Sequence, residues 1–64
     1  MKVDAATIKA IREGKGLTTS QLAAELDITR QAVEYYERHG VKTFSVLQRL
    51  AHALGVAPEI LIGR

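Results

Sequence analysis

Residues 18–38 read TTSQLAAELDITRQAVEYYER, and the fold of the chain turns on how this stretch divides. Thr18 and Gln21 stand three apart. At that spacing a threonine hydroxyl accepts from the amide of the third helical residue, while a glutamine side chain returns to the cap amide. The pattern predicts a helix from Thr19 to about Glu25, with Leu22, Ala23 and Leu26 facing inward. Asp27-Ile28-Thr29 interrupts it, and Thr29 can cap a second helix from Arg30 to about Arg38. On that helix Val33 and Tyr36 share one face; Arg30, Gln31, Glu34, Tyr35 and Arg38 fall on the other face or its flanks. Ile28 plugs the corner of the turn. The small side chain of Ala23 lets the second helix cross the first closely, at roughly 90–120°.

Upstream, Asp4 is a good cap for a helix running to about Glu13. Ile8 and Ile11 give that helix a narrow apolar stripe, and Gly14-Lys15-Gly16 ends it. Downstream, His39-Gly40-Val41-Lys42 reads as a loop and Thr43 as the cap of a helix from Phe44 to Leu54. Phe44, Leu47, Leu50, Ala51 and Leu54 form the strongest apolar periodicity in the chain and are assigned to the core. Gly55 sits where a left-handed residue closes a helix. Pro58 suits the first turn of a short last helix through about Leu61. The expected architecture is one all-α domain over residues 1–64, a compact bundle of five short helices.

Composition removes several classes of function. The 64 residues include no cysteine, so neither a disulfide nor a thiolate metal site can staple the chain. His39 and His52 have no cysteine partners, and structural zinc is not expected. A chain this short buries only about 60% of its unfolded surface, so stability must come from helix packing, with or without a second copy. The 47% hydrophobic and 25% charged residues are ordinary for a folded domain and not for a disordered one. No apolar run reaches the ~18 residues of a membrane span, and the N-terminus is not that of a signal peptide. The lack of cysteine fits a reducing cytoplasm. No nucleophile–base pair or metal-ligand cluster appears, and Gly14-Lys15-Gly16 lacks the spacing of a phosphate loop. An enzyme, a cofactor and a small-molecule substrate are therefore not expected. The net charge of +2 permits a nucleic-acid partner without demanding one.

The geometry of residues 18–38 narrows the choice. A capped helix whose polar face begins at its N-terminus presents side chains to the DNA major groove, which is wide enough for one helix. Three stretches carry a resemblance: Leu17 to Ala23, Ile28 to Val33 with Tyr36-Glu37-Arg38, and Leu50 to Val56. Together they resemble the Cro/C1-type helix-turn-helix domain of phage repressors, also called the XRE family. The likeness covers roughly residues 6–62. Members of that family bind double-stranded DNA as two-fold dimers and regulate transcription.

The resemblance implies roles residue by residue. Gln31 matches a position that often reads bases; a glutamine can bond adenine N6 and N7 together. Arg30 can take a guanine or a phosphate. Glu34 can accept from a cytosine amino group, and Tyr35 can pack on a thymine methyl. Thr19, Arg38 and Lys42 match or adjoin phosphate-gripping positions. Arg12 and Glu37 match a pair that forms an internal salt bridge in similar repressors. The chain departs from the pattern in having Asp27 where glycine is common, Thr19 where glutamine is frequent, and a loop after Arg38 about one residue short. A second resemblance, of Thr29 to Val41 to the recognition helix of MerR-type regulators, would require a wing after the motif.

The tail Pro58-Glu59-Ile60-Leu61-Ile62 places three consecutive large apolar residues together. They cannot all face one small core, so Pro58, Ile60, Leu61 and Ile62 are the expected homodimer interface. The rival function is a protein-interaction module, such as an antitoxin or anti-repressor, built on the same fold.

Overall fold

A computed structural model describes residues 5–62. Five helices succeed one another: α1 (Ala5–Gly14), α2 (Thr19–Leu26), α3 (Arg30–His39), α4 (Phe44–Leu54) and α5 (Pro58–Leu61). Among the described residues no strand accompanies them. The chain after α3 passes through a short loop into helix α4 and forms no wing. No helix among the described residues is long and apolar enough to cross a membrane. The expected cap Asp4 lies outside the described residues.

Local chemistry sets the start of α2 and of α3. Thr18 is extended, its hydroxyl accepts from the Gln21 amide at 3.1 Å, and the Gln21 side chain accepts from the Thr18 amide at 2.8 Å. Both halves of the capping box are therefore made. Thr18→Ala is expected to cost about 1 kcal/mol. The loss should show as a lower urea midpoint at an unchanged slope. Thr29 accepts from the Ala32 amide at 3.1 Å and starts α3 in the same way. Thr43 occupies the cap of α4 but makes no side-chain capping bond, contrary to expectation.

One motif closes three of the helices. Leu17 donates to Arg12, Ile28 to Ala23 and Val56 to Ala51, each at 3.0–3.1 Å. The residue before each donor, Gly16, Asp27 or Gly55, is left-handed, which is the Schellman arrangement. Asp27 is the non-glycine among them, at φ 55° and ψ 45°. Aspartate tolerates that region better than most side chains do, so the turn between α2 and α3 keeps its shape without the family's usual glycine. Gly40 ends α3 at φ 84° and ψ −174°, a region open to glycine alone.

The core gathers Ile8, Leu22, Ala23, Leu26, Val33, Val41, Leu47, Leu50, Ala51, Leu54 and Leu61. Ile11 and Tyr36 pack against it partly buried. Helix α2 is central: α3 packs on one side of it and α4 on another, while α1 packs on α3 and α5 on α4. Phe44 corrects the expected stripe, being 52% exposed. It stands on the first residue of α4, and the helical period alone does not tell whether a neighbour reaches that end. Val41, three residues earlier in the loop, is buried instead. Arg49 donates from Nη2 to the Leu26 carbonyl, tying α4 to the last turn of α2.

Candidate nucleic-acid interface

Helix α3 divides sharply around its axis. At about 100° per residue, positions 30, 31, 34, 35 and 38 share one side, and positions 33, 36 and 37 share the opposite one. The structure obeys this division. Arg30, Gln31, Glu34, Tyr35 and Arg38 are exposed, Val33 is fully buried, Tyr36 is half-buried, and the Glu37 side chain is buried. The five expected base-facing and phosphate-facing residues of α3 thus form one continuous polar surface beginning at the first residue of the helix.

Two contacts shape that surface. Arg30 Nε lies 3.6 Å from Glu34 Oε2, an exposed ion pair one turn apart. The Tyr35 ring leans on His39, with centroids 4.6 Å apart and planes tilted by 41°, and meets Tyr36 edge-on at 6.1 Å. Tyr35 nonetheless keeps 53% of its surface open.

Polar groups flank the face. On one side a shallow groove between α1, α2 and α3 is lined by Lys9, Arg12, Thr19, Glu34, Glu37 and Arg38. Thr19 and Arg38, both expected at phosphates, come together here. Lys9 joins them from the exposed side of α1; sequence reasoning passed over it because a lone lysine on a first helix carries no local signal. Lys42 lies apart, in a crevice with Tyr35, Tyr36, Gly40, Val41, Thr43 and Val46. The cations therefore stand in two separate grooves beside α3, Lys9 and Arg38 in one and Lys42 in the other.

Arg12 holds this surface from beneath. It is 8% exposed. Nε donates to Glu37 Oε2 at 2.6 Å and Nη2 to Oε1 at 3.1 Å, while Nη1 donates to the Leu17 carbonyl at 2.7 Å. The fork–fork geometry is the strongest form of such a pair. The hydrogen bond to Glu37 raises the Arg12 pKa further above its ordinary value, with burial opposing. One side chain thereby fixes α1, the turn after it and α3. Among the described residues no buried side-chain nitrogen or oxygen lacks a partner.

The apolar tail resolves differently from the expectation. Leu61 has no exposed surface and belongs to the chain's own core, which corrects its assignment to a partner. Ile62 packs partly buried against the same core, and Pro58 is half-buried. Ile60, 56% exposed, is the large apolar side chain of α5 that stays open to solvent. Among the described residues no three His, Cys, Asp or Glu side chains converge as a metal site.

Comparison with known proteins agrees with this geometry. A family model described as helix-turn-helix matches residues 8–61. The restriction-modification controller protein C.AhdI from Aeromonas hydrophila is similar at 27% identity, with a TM-score of 0.83, over 91% of this chain and 89% of that one. A hypothetical transcription factor from Neisseria is similar at 31% identity and a TM-score of 0.80, over 89% of this chain and 65% of that one. HppE, solved with Fe(II) and substrate, is similar at 30% identity and a TM-score of 0.85, over 92% of this chain. This chain spans only 35% of HppE. A comparison with curated protein sequences gives no match. With five helices in this order, capped as described, and the family match running from Ile8 to Leu61, the chain belongs to the XRE-type helix-turn-helix family of DNA-binding domains.

Proposed function

We propose that the chain is a sequence-specific transcriptional regulator that acts as Cro-like repressors do, occupying a near-palindromic operator in the cytoplasm as a weak homodimer. The carrying observation is the exposed side of α3, with its five polar residues in one surface and cations in two grooves beside it. In this reading Arg30, Gln31, Glu34 and Tyr35 face base edges, while Thr19, Arg38, Lys42 and Lys9 face phosphates. Two copies would set their α3 helices about 34 Å apart, one turn of DNA. The controller-protein and transcription-factor neighbours support regulation as the purpose.

Titration of labelled duplex at several salt concentrations tests the reading. Three cations per copy predict a slope of log affinity on log salt of roughly −3 per protomer, at about −0.9 per phosphate neutralised. Arg38→Ala should reduce that slope by about 1 without changing sequence preference. Arg30→Ala combined with Gln31→Ala should abolish specific binding. Absence of binding to any duplex at low salt overturns the proposal. A protein partner retained by the Arg30/Gln31 double variant would instead favour an interaction module.

A further inference from the structure

The Arg30–Glu34 pair is poorly explained by helix stability. Arg30 is the first residue of α3, and the first turn contains no acid. The positive end of a helix dipole disfavours a cation there, and an acid placed four residues after a base is the weaker of the two orders. The contact is 3.6 Å long, between side chains 58% and 49% exposed. Such a pair adds little to folding.

Its atoms are better arranged for reading. The contact engages Arg30 Nε and one Glu34 oxygen, and among the described residues neither side chain makes another hydrogen bond or ion pair. Both terminal nitrogens of Arg30 remain as a fork, and one carboxylate oxygen of Glu34 remains as an acceptor. A fork of donors matches guanine O6 and N7. A carboxylate can only accept, and the donors on the major-groove floor are the amino groups of cytosine and adenine. A G·C pair presents the two acceptors and the one donor side by side.

We infer that Arg30 and Glu34 form one reading unit for a single G·C base pair, Arg30 taking guanine O6 and N7 while Glu34 accepts from N4 of the paired cytosine. The inference rests on the proposal that α3 reads duplex DNA. Glu34 is the specificity-determining half. Against thymine O4 or guanine O6 its charge meets an acceptor, and against phosphate it meets a like charge, so it counts against every wrong register as well as for the right one. The ion pair holds the guanidinium beside the carboxylate before binding, which lowers the ordering cost of the two contacts.

Selection from a random duplex pool, run with the unaltered chain, Arg30→Ala, Glu34→Ala and the double variant, tests this. Each enriched duplex is then compared with its counterpart carrying A·T or C·G at the pair in question. The unaltered chain should prefer G·C by roughly 5- to 100-fold, the usual cost of one wrong base pair. Both single variants should lose that preference at the same base pair, and the double variant should lose no more than either. Both positions are exposed, so far-UV circular dichroism should show all four proteins equally folded. Relaxation at two different base pairs overturns the inference. So does a Glu34→Ala protein that binds all duplexes more tightly with unchanged preference, because Glu34 would then act only as a charge repelling phosphate. Failure of the unaltered chain to enrich any sequence would strike the DNA-reading proposal itself, a distinct result.

Discussion

Arg12→Ala is expected to remove about 3–5 kcal/mol of stability, the cost of leaving one member of a buried ion pair alone. A domain of this length has a total of roughly 3–10 kcal/mol, so the loss takes a large share of it and the urea midpoint should fall steeply. Three bonds disappear together: two to the Glu37 carboxylate and one to the Leu17 carbonyl. The carboxylate of Glu37, whose side chain is 8% exposed, then loses its counter-charge. Replacing both partners separates this penalty from the intrinsic worth of the pair. Arg12→Met with Glu37→Leu leaves only the Leu17 carbonyl unsatisfied, and should cost about 1–3 kcal/mol. Urea unfolding monitored by circular dichroism reads both. A double variant no more stable than Arg12→Ala would show that the ion pair itself, and not the desolvation of a stranded charge, carries the stability. The raised Arg12 pKa sets the sign with pH. A raised folded-state value contributes stability in full below the ordinary arginine value and loses it only on passing the raised one. Alkaline titration to pH 9 should therefore leave the Arg12 contribution intact.

The same pair shows where a sequence speaks and where it falls silent. Thr18, Gln21 and Thr29 were readable because a cap bonds to an amide three residues away, and nothing beyond the turn is needed. The polar side of α3 was readable because the buried residue Val33 and the exposed residues obey the helical period. Arg12 and Glu37 are 25 residues apart, and only resemblance to a family brought them together. The Leu17 carbonyl beneath Arg12, the Arg49 bond to Leu26, and Lys9 beside Thr19 had no signal at all, because each depends on where one helix lies against another. Phe44 failed for a related reason. Its phase with Leu47 is correct, but an inward phase at the end of a helix buries a side chain only where a neighbour reaches that end. The loop residue Val41, outside every periodic pattern, went into the core in its place.

Leu61→Ala and Ile60→Ser, adjacent substitutions in α5, should behave oppositely. Leu61 is fully buried. Its truncation removes packed methyl groups and leaves a cavity, at about 2–5 kcal/mol. That cost should be the same at every protein concentration, because Leu61 packs within its own chain. Ile60 is 56% exposed, and in an isolated chain its replacement should change stability by no more than about 0.5 kcal/mol. A homodimer changes the second expectation and not the first. If Ile60 meets a second copy, the thermal midpoint of the unaltered chain rises with protein concentration by mass action. Ile60→Ser should then abolish that dependence while leaving the midpoint at the lowest concentration unchanged. A midpoint constant over a wide range in concentration would remove the homodimer from the proposed function. Two recognition helices would then need the DNA itself to bring them together. A concentration dependence that survives Ile60→Ser would keep the dimer and move its interface off α5. The two variants thus distinguish an apolar end that completes its own core from one that also needs a partner, and one short helix holds both answers.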